Sequence, residues 1–131
     1  MHLSTLLLPA LLLLGATAFS LEGTWVMQDT RLTISDLVYR NSTLLSKLAF
    51  AHCSQAMLLQ AQVSHNMLFL NLNSQLLQPN SDTSHSCSRD DSATALSALY
   101  GTLSRVFYFQ INLDQLLLQD PYGSTLLTFR R

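Results

Sequence analysis

Glycine and proline are scarce in this chain of 131 residues, which has four of the first and three of the second. Beyond the N-terminal leader only Gly23, Gly101 and Gly123 remain. A glycine-rich loop that cradles phosphates is therefore absent. Charge is scarce as well. Charged residues make up 11% of the chain, and the formal net charge is −1. The seven basic residues (Arg31, Arg40, Lys47, Arg89, Arg105, Arg130 and Arg131) are scattered. No basic stripe marks nucleic acid as a partner. Serine and histidine are plentiful, but no Gly-x-Ser-x-Gly elbow presents a nucleophile. No second long apolar run follows the leader, and no internal repeat is visible.

What is present begins with an address. Leu3 to Gly15 is mostly leucine, too short to span a bilayer comfortably, which takes about 20 apolar residues. Small residues follow at Ala16, Ala18 and Ser20, as a signal peptidase requires. Residues 1–20 are read as a signal peptide cut after Ser20 or Ala18, and residues 21–131 as a single domain. A retained N-terminal anchor is the alternative, since His2 and the α-amino group are the only charges ahead of the run. No cysteine follows the apolar run, which excludes a bacterial lipoprotein anchor. The expected location is extracellular or in the secretory lumen, with no stable membrane insertion after cleavage.

The only two cysteines, Cys53 and Cys87, then enter an oxidising compartment, where a disulfide is the first reading. Closing that loop stabilises the fold by roughly 3–4 kcal/mol in the chain-entropy picture. His52 beside Cys53 and His85 near Cys87 leave open a tetrahedral zinc or copper site, and free thiols are the third possibility. Asn41-Ser42-Thr43 is an N-glycosylation sequon, expected on a surface loop.

The last third carries the clearest structural signal. Asp90 and Asp91 suit the positive end of a helix. Leu96, Leu99, Tyr100, Leu103 and Val106 then recur on one helical face, with Ser97, Thr102 and Ser104 opposite. Arg105 suits the C-terminal dipole, and Gly101 is attributed to close approach to a sheet. The period next drops to two. Phe107, Phe109 and Ile111 alternate with Tyr108, Gln110 and Asn112. Asn112 to Asp114 reads as a turn, Leu116 and Leu118 face one way, Asp120-Pro121-Tyr122-Gly123 is a second turn, and Leu126 to Phe129 closes the ribbon.

Upstream, Gly23-Thr24-Trp25 has the form used by small barrels to plug one end with an indole. Leu44–Phe50, Met57–Val63 and Asn66–Leu72 read as strands, and Ser64 to Asn66 as a turn. Thr30 to Arg40 is ambiguous between a strand with a turn and a short helical turn, and Pro79 to Ser84 is a polar loop. The expected class is α+β: a small antiparallel sheet or partly closed barrel with one helix packed on it.

The order of these signals resembles the META domain family, which includes the heat-inducible HslJ proteins. The features are Gly-Thr-Trp, a cysteine after a strand, two strands, a loop, a second cysteine, an acid-started helix and leucines alternating around two turns. The family's Gly-Cys-Asn motif is here His52-Cys53-Ser54. The resemblance implies a small α+β or barrel-like domain tied to stress response or surface location, with no catalytic site attached. Chemistry elsewhere has plainer explanations. His85 and Cys87 can be drawn as a catalytic pair, Asp90 and Asp91 as an acid–base pair, and Asn112, Asp114 and Asp120 as calcium ligands. Disulfide formation, helix capping and turn formation account for the same residues. The reading is a secreted, non-catalytic module without cofactor or metal, whose unknown protein partner docks on a sheet edge or apolar patch. The alternative is a small lipocalin-like binder of apolar ligands.

Overall fold

The computed structural model describes residues 21–41, 43–80 and 89–131. Within them the fold is an antiparallel β-barrel with one helix. Its eight strands are β1 (Gly23–Met27), β2 (Thr30–Arg40), β3 (Thr43–His52), β4 (Gln55–Ser64), β5 (Met67–Pro79), β6 (Tyr108–Asn112), β7 (Gln115–Gln119) and β8 (Thr125–Arg130). The helix, α1 (Arg89–Leu103), lies between β5 and β6 in the sequence. Each strand pairs with its neighbour in the chain, and β8 returns to β1, so the barrel is closed. The antiparallel sheet and single helix match the sequence expectation, while closure goes beyond the partly closed barrel anticipated. The predicted leader and Cys87 lie outside the described residues.

The barrel forms because the strands alternate. In β3, Leu44, Ser46, Leu48 and Phe50 point inward and are buried. Opposite them in β4 stand Met57, Leu59, Ala61 and Val63. Period-two alternation places one set on the core face and leaves the other outside. Trp25, Phe50, Phe109 and Phe129 are fully or almost fully buried and belong to one contiguous apolar cluster. The Phe50 and Phe129 rings meet at 6.3 Å across the barrel. Large side chains from most of the strands thus occupy the interior.

Trp25 ties one seam. Its indole Nε1 donates to the Leu21 carbonyl at 2.9 Å, and the Arg131 guanidinium lies 3.9 Å from the ring centroid. The last residue of the chain therefore packs on the first strand, where β1 and β8 share the register pair Val26–Arg130. The other thin seam is β5–β6. It has the pair Met67–Tyr108, flanked by backbone bonds from Leu68 N to the Phe107 carbonyl and from Phe109 N to the Asn66 carbonyl.

Helix α1 directs Leu96, Leu99 and Leu103 into the barrel cluster. Burying each leucine stabilises the fold by about 1.5–3 kcal/mol. Its first turn is anchored by Ser92, whose buried Oγ accepts from the Ser54 backbone N–H at 3.3 Å. Farther along, the Tyr100 hydroxyl donates to the Leu72 carbonyl at 3.5 Å. Two sequence expectations are corrected here. The helix ends at Leu103, so Arg105 lies in the turn beyond it, and Val106 packs on the core from outside the helix. Gly101 is exposed, and a Cβ placed there would meet nothing within 4 Å, so close approach to a sheet does not explain it.

The ambiguous stretch Thr30 to Arg40 is one strand. Its pairing with β3 shifts register between Ser35 and Val38, one extra residue that breaks the alternation. Strand β5 runs past the predicted Leu72 to Pro79. Between Gln60–Asn71 and Leu58–Leu76, it carries three residues more than its partner needs. Five hairpin loops of two residues connect the strands, and each starts with a non-glycine residue at positive φ: Gln28 (52°), Asn41 (51°), Cys53 (54°), His65 (56°) and Leu113 (59°). Such turns normally recruit Asn-Gly or Asp-Gly. This glycine-poor chain makes them without glycine.

Candidate interaction surface

The sequence-predicted residues do not converge. Asn41 is exposed at the β2–β3 turn, and Cys53 stands in the β3–β4 turn near the opposite end of β3. His52 Nδ1 lies 3.0 Å from the buried Thr30 Oγ1, within hydrogen-bond distance. His85 and Cys87 lie outside the described residues. Among the described residues no group of three or more His, Cys, Asp or Glu is placed to hold a metal ion. Asp120 is engaged in its own turn, where Oδ1 accepts from the Tyr122 and Ser124 backbone N–H groups at 2.9 Å each. The Gly123 N–H closes the same turn onto the Asp120 carbonyl at 3.0 Å. Asp91 is exposed in the first turn of α1.

What the fold offers instead is surface. Leu76 and Leu77 in the second half of β5 are 59% and 54% exposed. Beyond Leu72 this half of β5 is paired as a strand only with β4, among the described residues. Helix α1 flanks the other side, leaving a hollow of about 300 Å³ lined by Gln75, Leu77, Leu96 and Tyr100. A second hollow of similar size opens on the outer face of β1–β5, where Val26, Ala49, Ala51 and Ala56 are among the lining residues. Strand β5 leaves the β6 side after Leu68, and its three extra residues follow beyond Asn71. Sequence reasoning missed it. The exposed run Leu76-Leu77 was the available signal, but without register it reads as core.

A third concavity, about 670 Å³, lies nearer the β2–β3 turn on the outer face of β2–β5. Cross-strand register aligns Val38, Leu45, Gln62 and Phe69 in one row, and Lys47, Gln60 and Asn71 in the next.

Among the described residues no helix is long and apolar enough to cross a membrane. No family of known proteins, no curated protein and no solved structure matches the chain.

Proposed function

We propose that this chain is a non-catalytic recognition module of the META/HslJ-like type, exported from the cytoplasm, which binds a protein partner along the second half of β5. The family reading rests on the order of signals in the sequence, from Gly23-Thr24-Trp25 to the leucines around the last two turns. The observation that carries the function is the pairing of an occupied barrel with a strand whose second half, among the described residues, has a strand partner on one side only. Trp25, Phe50, Phe109 and Phe129 fill the inside, while Leu76 is exposed on the outer face of β5 and Leu77, on the opposite face, is exposed beside α1. An extended peptide adding to such an edge gains main-chain hydrogen bonds and places alternate side chains against the sheet. The hollow beside Leu77 would receive one of them.

A Cys53–Cys87 disulfide belongs to the same proposal. The Ser54–Ser92 contact holds the start of α1 against the β3–β4 turn, and Cys87 precedes Ser92 by only five residues. Joining the two sulfurs would fix α1 beside β5 and so set the width of the hollow.

The test is photo-cross-linking of the domain in the secretome of its own source, with a benzophenone side chain at position 77 or at position 122. Tyr122 is 93% exposed in the β7–β8 turn, away from the proposed surface. The expected result is a discrete adduct from position 77 and none from 122. Equal labelling from both, or none from 77, contradicts the proposal.

A second reading has one observation in its favour. A closed, eight-stranded, up-and-down barrel with a buried Gly-Thr-Trp tryptophan is the architecture in which lipocalins hold one small ligand. The density of large side chains in the interior weighs against it.

A further inference from the structure

We propose that the 670 Å³ groove on the outer face of β2–β5 is the seat of an N-linked glycan carried by Asn41, a reading that rests on the proposed passage through the secretory route. The sequon and the groove are neighbours by construction. Asn41 opens the two-residue turn after β2, and it is exposed. Arg40, directly before it, lines the groove. Val38 starts the first row of the groove three residues before Asn41, about 10 Å along the strand. From Val38 the row crosses three strand spacings to Phe69, about 14 Å. A short chain of sugars attached at the turn has that distance to cover.

The lining fits a sugar better than it fits a purely apolar guest. Val38, Leu45 and Phe69 supply apolar surface, and Phe69 and Val38 are 40% and 52% exposed. An aromatic ring offers a face on which the C–H side of a pyranose stacks. Gln60, Gln62 and Asn71 supply three primary amides, each with two donors and an acceptor, which match hydroxyls and the N-acetyl group. An exposed hydrophobic patch beside a glycosylation motif is thereby covered by the chain's own modification. The leucine pair of β5 lies toward the other end of the strand and remains free for a partner.

The experiment expresses the full-length chain in a eukaryotic secretory host, as wild type, Phe69→Ser and Gln62→Ala, and treats the folded secreted protein with a glycan-releasing amidase. The expected result is a glycan-bearing secreted chain whose release is about tenfold slower in the wild type than in either variant, the size of effect a contact worth one decade produces. Gln62→Ala stands in if Phe69→Ser does not fold. A secreted chain with Asn41 unmodified overturns the seat while leaving export standing. A chain that stays in the cell unmodified overturns both. Modified chains with equal release rates overturn the seat, as does an Asn41→Gln variant that dimerises and loses the dimer on Phe69→Ser, because the groove then belongs to a second copy.

Discussion

Replacing Leu113 by glycine should stabilise this protein, although it deletes a leucine. Leu113 opens the β6–β7 turn at φ 59° and is 93% exposed, so its side chain contributes almost no burial. For an L-residue the left-handed region is unfavourable by roughly 1–2 kcal/mol, a penalty glycine does not carry. Against that gain stands the larger conformational entropy that glycine gives the unfolded chain, about 0.4–1 kcal/mol. The balance is a net stabilisation of about 0.5–1 kcal/mol. For a domain of this size that raises Tm by roughly 2–5 °C. Thermal unfolding followed by circular dichroism measures it, and urea titration should show a higher midpoint with an unchanged slope. His65→Gly, in a separate turn at φ 56°, should add to it within about 0.5 kcal/mol, since the two turns share no partners. A Leu113→Gly chain with an unchanged or lower Tm would refute the reasoning. It would mean that Leu113 makes contacts in solution, or that the turn does not hold its left-handed geometry.

Three other outcomes follow from the same geometry. Gly101→Ala should raise stability by about 0.5–1 kcal/mol because the site is exposed and open, whereas Gly123→Ala, at φ 84°, should lower it; a thermal melt of each gives the sign. Leu99→Asp puts a charge into the buried stripe of α1 and should abolish cooperative unfolding, read by near-ultraviolet dichroism. Intact mass after alkylation without reductant should show no modified thiol in the chain expressed through a secretory host, and two labelled cysteines would refute the proposed Cys53–Cys87 bond.

Much of the fold was legible where local signals were strong. In α1 and in β6 to β8 the hydrophobic period and the turn chemistry agree, and Asp120 to Gly123 form the turn their residue types suggest. Legibility failed where register breaks. Between Ser35 and Val38 one extra residue scrambles the alternation of β2, so a strand looked half helical. In β5 three extra residues hide its second half, and with it the exposed Leu76 and Leu77. Full closure of the barrel, expected only in part, was hard to read for a different reason. It depends on Arg130 meeting Val26 and on Arg131 stacking over Trp25, contacts between the ends of the domain that no local window contains. The turns at Gln28 and Cys53 escaped notice because neither glycine nor asparagine opens them, whereas Asn112 to Asp114 and Ser64 to Asn66 were legible as turns.

Trp25 is the chain's only tryptophan and sits fully buried inside the barrel, which makes it the direct reporter on whether the interior is solid. Titration with a brominated fatty acid, followed through its fluorescence, should leave the emission blue-shifted and unquenched, because Phe50, Phe109 and Phe129 already occupy the space a ligand would need. Saturable quenching at one acid per chain would put a ligand in the barrel and contradict recognition on the outer surface.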